Sequence, residues 1–294
     1  MARIGVFIER YTVANSKEMG ALMRFSHVAQ LRGHHVDVLF RPDIYKIPRY
    51  DALYVRSLTD PLNAAYVAAE TAKLHGLRVI DDPQSIIVCC DKVHMYRKLL
   101  NAEVPMPDTE FLEKKDLTLD NAERILQRFG KPVVLKAPNS SFSMYVDRVS
   151  TAEEFMSVGK RYLRRANLIV AQRFVRSSYD WRVGVLAGEP LYVCKYRIPK
   201  SHWKILSYNS DGSTVEGRVD AFKLKDVPQG LLDTAVDACN AIGKSLYGVD
   251  IKQVGDKFVT IEVNDNPTIA EGDEDKASPK LYERIVSYLA GEWG

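Results

Sequence analysis

The stretch GVDIKQVGDKFVTIEVNDNP, residues 248–267, decides how this chain is read. Two apolar-rich runs flank Gly255-Asp256, a tight-turn pair, so the stretch is expected to fold back as a hairpin. Successive side chains of a strand point to opposite faces. Ile261 and Val263 are therefore expected on a buried face, and Glu262, Asn264 and Asn266 on the other. Neighbours in that polar row stand ~6–7 Å apart. With the turn at 255–256, Asp250 meets Glu262 across the ladder. Like charges directly opposite repel. A bound cation would turn the repulsion into coordination, and oxygen donors suit a hard divalent ion such as Mg²⁺. The plainer reading is that Asp250 caps or salt-bridges locally and the row is a solvated edge.

The bulk properties set the frame. The chain has 294 residues, 46% hydrophobic and 27% charged, with a formal net charge of +3. This is the composition of a soluble globular protein, long enough for one large domain or two to three packed ones. The charge balance does not imply nucleic-acid binding. No apolar run approaches a membrane span, and Glu9-Arg10 interrupts the N-terminal apolar run, so no membrane partner and no signal peptide are expected. Cys89, Cys90, Cys194 and Cys239 form no CxxC pair, which predicts free thiols and a cytoplasmic setting.

Along the first eighty residues strands alternate with helices. ARIGVFIE, HVDVLF, DALYVRS and LRVID read as strands; residues 18–33 and 64–76 read as helices that stop at glycine. That order predicts a parallel sheet under helices. No GxGxxG follows the first strand, so no dinucleotide site is expected there. IIVCCDKVHMYRKLLNA reads as a single helix, ended by an extended VPMPDT linker with prolines at 105 and 107. A small α/β unit follows: helix DNAERILQRFG, strand KPVVLKAP, polar loop NSSFSMY, strand YVDRVS, a helix capped by Thr151, and strand NLIVAQRFV. The remainder is strand-rich, with a hairpin turning at 187–190, a helix from Pro228, the 248–264 hairpin and a closing helix SPKLYERIVSYLAG.

Three sets of cations accompany the polar row. Lys136 ends the apolar strand PVVLK before a polar loop, where it can meet a phosphate as a point charge. Lys92, beside Asp91 on a helix, reads alone as a solvated lysine. Arg182, Lys195, Arg197 and Lys204 feed two strands and a loop and read as one surface for anionic groups, with ordinary hairpin solvation as the rival.

These motifs, in this order, resemble the ATP-grasp carboxylate–amine ligases, specifically the RimK-type glutamate ligases and their glutathione-synthase-like relatives. The resemblance covers nearly the whole chain. It rests on IDDPQSIIVCCDKVHM, on PVVLKAP as the second lysine strand, on VAQRFV as the hinge and on YDWRV as an Asp-x-Arg element. CKYRI with SHW resembles the RimK-like branch, and GVDIKQ with IEVNDNP is the most specific match. The resemblance implies an α/β ATP-grasp fold: an N-terminal Rossmann-like domain at 1–104, a lid subdomain at 105–175 and a C-terminal subdomain at 176–294. Carried over position by position, Lys92 and Lys136 hold ATP phosphates, with Ser140 and Ser141 in the phosphate loop. Gln172, Arg173, Phe174 and Val175 form the hinge under adenine, and Asp180 meets the ribose. Asp250, Glu262 and Asn264 carry Mg²⁺, with Mn²⁺ as a substitute; Arg182, with Lys195 and Lys204, stabilises an acyl phosphate.

The resemblance further implies small carboxylate and amine substrates, a peptide or protein tail as an alternative acceptor, and room for a homo-oligomer. Two departures stand out. The phosphate loop NSSFSMY has no glycine, and Arg173 stands in the hinge where relatives commonly have an acid. The expected chemistry is activation of a carboxylate as an acyl phosphate and its displacement by an amine, in a site that excludes water. The rivals are an ATP-grasp kinase, which leaves phosphate on its substrate, and a nucleotide-binding regulator without turnover.

Overall fold

Short strands start the chain, β3 buried throughout and β1 nearly so: β1 (Arg3–Phe7), β2 (His35–Leu39), β3 (Ala52–Val55) and β4 (Arg78–Ile80). They pair in parallel, in the order β2-β1-β3-β4, as the alternation with α2 (Ser16–Leu31) and α3 (Ala64–Leu74) requires. A short α1 (Arg10–Ala14) precedes α2. The computed structural model describes residues 1–139, 145–199, 206–208 and 214–293.

The expected single helix over 86–102 is two. α4 (Pro83–Cys89) ends, and α5 (Lys92–Asn101) begins anew, because Asp91 turns its carboxylate onto the amides of Val93 and His94 at 2.8 and 3.1 Å. This cap satisfies helix donors that a continuous helix would have bonded internally. It places Lys92 in the first turn.

The linker after α5 ends in a further strand, β5 (Thr109–Leu112). β5, β6 (Val133–Lys136), β7 (Val146–Val149) and β8 (Ile169–Arg173) form an antiparallel sheet in the order β5-β8-β6-β7. Helices α6 (Leu119–Phe129) and α7 (Ala152–Tyr162) cover it over a core of Leu126, Phe155 and Ile169. Thr151 caps α7 by accepting from the Glu154 amide.

The larger sheet has the order β13-β10-β9-β14-β15. Its strands are β9 (Tyr179–Leu186), β10 (Glu189–Arg197), β13 (Val219–Phe222), β14 (Leu246–Val254) and β15 (Lys257–Asn264). Between β10 and β13 the small pair β11 (Leu206–Tyr208) and β12 (Thr214–Glu216) stands apart. One face packs on α5 and α8 (Gln229–Ile242) through Val183, Val249, Ile251 and Val263. The other packs on the first sheet's α2 and on α9 (Leu281–Ala290) through Leu186, Tyr192 and Leu246. Burying each such aliphatic side chain contributes ~1.5–3 kcal/mol.

The decisive hairpin turns at Gly255-Asp256, with Gly255 at φ +60° and Val254 paired to Lys257. Asp250 pairs with Glu262 and Gly248 with Asn264. The simple alternation does not hold, however. Between Asp250–Glu262 and Ile251–Thr260 the register shifts, so Ile261 is an extra bulged residue. Phe258 and Thr260 face inward before the bulge, Val263 after it, and Ile261 is only half-buried. An inserted residue exchanges the faces of everything beyond it. The third member of the expected row also leaves it: Asn266, at φ +41°, donates to the Ser57 carbonyl at 2.5 Å and accepts from Arg56 Nη1 at 2.7 Å. It ties the hairpin's end to β3.

Candidate active site

On β9 one face runs Leu186, Gly184, Arg182, Asp180, from apolar core to charge. Gly184 carries no side chain because a Cβ there would lie 2.0 Å from the Tyr192 ring. Opposite this row on β14 lie Asp250, paired with Arg182, and Lys252, brought beside Asp180. The guanidinium grips Asp250 with two hydrogen bonds, Nε to Oδ1 at 2.7 Å and Nη2 to Oδ2 at 2.8 Å. Such a fork is geometrically specific and short because both groups are charged. Asp180 accepts from Lys252 Nζ. Burial raises the Asp180 carboxyl above its ordinary value despite that lysine.

β15 adds Glu262 and Asn264 to the same face. Glu262 Oε1 receives Lys92 Nζ at 2.6 Å, from the first turn of α5. Burial alone would raise the Glu262 carboxyl, but Lys92 and Lys136 hold it below its usual range, so it is anionic. Asn264 donates from Nδ2 to the Gly248 carbonyl and to Asp250 Oδ2, each at 3.2 Å, which turns its Oδ1 away as an acceptor. Gly248 permits this close stacking: a Cβ there would stand 2.7 Å from Pro267 and 3.5 Å from the Arg182 side chain.

The small sheet contributes Lys136 from the end of β6. Its Nζ donates to Tyr96 Oη at 2.6 Å and to Gln172 Oε1 at 2.7 Å. Tyr96 in turn donates to the Ile261 carbonyl at 2.7 Å, so the bulge is what α5 binds. The Lys92 amide donates to the Pro138 carbonyl at 3.0 Å, fastening the two lysine segments together. Lys92 and Lys136 are 4% and 6% exposed, against the solvated reading of Lys92. Burial pushes the Lys136 ammonium down to about 7; Glu262 resists this, and Lys92 and Lys252 add to it. Lys92 meets the Glu262 carboxylate directly, and Lys136 acts on it from its bonds to Tyr96 and Gln172.

The remaining expected residues divide. Gln172 is buried and holds Lys136 and the Thr109 hydroxyl (3.0 Å), so its side chain serves the interior of the small sheet. Arg173 is exposed and pairs with Asp108 at 2.7 Å. Phe174 and Val175 lie in the connector from β8 to β9, Phe174 beneath the Arg148 guanidinium at 5.3 Å. Lys195 does not join Arg182. It is paired across from Trp181, one position out of phase, and so occupies the opposite face. Its ammonium lies 4.3 Å from the Tyr179 and Trp181 rings and 5.3 Å from Phe222. Arg197 is exposed and pairs with Asp220, so the four basic residues are not one surface. Ser140, Ser141 and Lys204, with the glycine-free loop 140–144, lie outside the described residues.

Sequence reasoning did not find Lys252, Tyr96 or Tyr196. Tyr96 had a signal, four residues after Lys92 on one helix face. Lys252 had one too, two residues after Asp250 on its strand. Tyr196 lies under Arg182, 4.7 Å from ring centroid to guanidinium.

The donor set fits a hard cation. Asp250 and Glu262 are cross-strand partners, and Asn264 is two residues along. Among the described residues no three His, Cys, Asp or Glu side chains could hold an ion by themselves. Mg²⁺ suits such a set, because it is commonly held by one or two carboxylates with phosphates and water completing its shell.

Known proteins resemble this chain over most of its length. A RimK-like ATP-grasp domain matches residues 89–288. The chain is 23% identical over 256 residues, 83% of each protein, to the glutamate–LysW ligase ArgX of Sulfolobus acidocaldarius. It is 23% identical over 295 residues, 94% of this chain and 93% of the relative, to a probable alpha-L-glutamate ligase of Psychromonas ingrahamii. The fold superposes on D-alanine–D-alanine ligase from Bacillus anthracis complexed with ATP, with a TM-score of 0.68 at 16% identity, covering 99% of this chain and 95% of that one. The parallel sheet and the small antiparallel sheet thus accompany the sequence match: the chain belongs to the RimK-like ATP-grasp family of ATP-dependent carbon–nitrogen ligases.

Proposed function

We propose that this cluster activates a carboxylate with ATP and Mg²⁺ and joins it to the amine of an amino acid, glutamate being the first candidate from the names of the relatives. The acceptor is a free amino acid, a peptide or a protein tail; the relative named for LysW supports the last. The observation that carries the reading is the partly buried charge row Lys92–Glu262–Asp250–Arg182, drawn from one helix and three strands, with Lys136 against it.

Each residue then has a task. Lys92 and Lys136 meet the triphosphate as preorganised cations, at no reorganisation cost during the reaction. The backbone of 173–175 runs under the adenine, and Asp180 accepts from a ribose hydroxyl. Asp250, Glu262 and Asn264 hold Mg²⁺, which when bound neutralises charge on the phosphates. The substrate carboxylate oxygen attacks the terminal phosphorus as the bond to ADP breaks. Arg182 steadies the resulting acyl phosphate and the oxyanion formed when the amine adds to its carbon; phosphate leaves with the electron pair of the C–O bond.

An ADP-release screen over pairs of amino acids and glutamate-ended peptides, read by mass spectrometry, tests this. The expected result is orthophosphate and a product weighing acid plus amine less water. A phosphorylated substrate would establish the kinase reading instead, and ATP binding without ADP release over the whole panel would establish the regulator.

A further inference from the structure

The CKYRI motif supplies a residue that the reaction as described does not use. Alternation on β10 turns Tyr196 toward Arg182, whose guanidinium lies 4.7 Å from the ring centroid, a cation over the negative face of an aromatic. Tyr196 Oη donates to Glu274 Oε1, and Glu274 Oε2 accepts from the Ala270 amide at 2.8 Å. Ring and carboxylate are 8% and 2% exposed. Glu274 makes no ion pair among the described residues, and its two bonded donors are neutral. Burial raises its carboxyl above the ordinary value; the bonds from Tyr196 and Ala270, and more weakly Arg182 beyond the ring, work against that.

Arg182 is held by Asp250, the very carboxylate a cation would recruit. Losing that grip would free a long side chain at the moment it must face the acyl phosphate. We propose that Tyr196 and Glu274 are positioning residues that keep Arg182 in place once Asp250 engages the cation. Tyr196 acts through its ring, and Glu274 by fixing the phenol. Because Glu274 also anchors Ala270, the same pair fastens the segment after Asn266 to the catalytic face.

The inference rests on the role proposed for Arg182, so the first readout is the guanidinium itself. In full-length protein carrying ¹⁵N-arginine, the Arg182 Nε–H resonance is identified by its loss in R182K. Y196L should abolish its ring-current shift. With Mg²⁺ and ATP added, so that Asp250 is engaged, Y196F and E274Q should keep the shift but give faster side-chain motion. An unchanged Arg182 resonance in Y196L overturns the proposal whether or not a substrate pair has been found. With a productive pair, kcat should fall ~100-fold in Y196L and ~10-fold in Y196F, the scale of a displaced catalytic charge. KM for ATP should stay within about twofold, since binding of the nucleotide is untouched. Y196F should add little to R182K, because residues acting through one group are not additive. Full additivity, or a parallel loss of ATP affinity and unfolding midpoint, shows a merely structural role and overturns it. Absence of turnover with every pair defeats the ligase reading, while the resonance still decides the positioning.

Discussion

Lys92 and Glu262 are 170 positions apart in the chain, yet Nζ and Oε1 stand 2.6 Å apart across the edge of the large sheet. This contact joins the start of α5 to the strand that carries the proposed metal ligands. Glu262→Gln removes one anionic ligand and the lysine's partner together. Turnover should fall at least ~100-fold at saturating Mg²⁺, the scale of losing one preorganised charge, with far-UV circular dichroism unchanged. Activity near the parent level would remove Glu262 from the metal site.

Arg182 and Asp250 form a buried fork. Arg182→Ala strands a buried carboxylate and should destabilise the protein by ~3–5 kcal/mol. Replacing both partners, Arg182→Met with Asp250→Asn, should cost much less, because no unpaired charge remains. Urea unfolding of the two variants decides; an equal loss in the single and the double variant would show that the charge is not what matters.

Lys136 titrates at about 7, lowered chiefly by burial. An unfolded lysine holds its proton until ~10.4. Between these values the unfolded state binds more protons, so ligand-free stability should rise with pH, by at most ~1.4 kcal/mol per unit. Below pH 7 the full burden of a buried ammonium remains. Phosphate favours the charged form, so ATP binding at about pH 8 should take up close to one proton, and at about pH 6 much less. Calorimetry in buffers of different ionisation enthalpy measures this. Uptake that persists in Lys136→Met would assign the proton elsewhere.

Lys195 lies in an aromatic box on the face away from Arg182. Lys195→Met should leave turnover within about twofold and lower stability by ~0.5–2 kcal/mol, the worth of a cation–π contact. A large loss of kcat at unchanged stability would return Lys195 to the chemistry.

The sequence by itself determined those features whose causes are local. The strand–helix alternation before residue 81 dictated a parallel sheet. The turn at Gly255-Asp256 set the hairpin, but counting back from it brings Asp250 opposite Ile261; the bulge is what moves Glu262 there. The order of lysine strand, hinge, Asp-x-Arg and EVN motifs pointed to the family that the comparisons show. The rest depends on contacts between distant segments, or on local devices whose effect only neighbours reveal. The bulge at Ile261 is stabilised by Tyr96 from α5, and no alternation of apolar residues announces an inserted residue. The break before Lys92 needed one short cap, yet contacts from far along the chain, the Pro138 carbonyl and Glu262 among them, convert a surface-looking lysine into a buried one. Strand parity separates Lys195 from Arg182, but which face was polar was set by α8 and the first sheet covering opposite sides. The Tyr196–Glu274 pair spans 78 positions. A charge can be buried only where its partners have already been brought, and that arrangement is made by the tertiary fold.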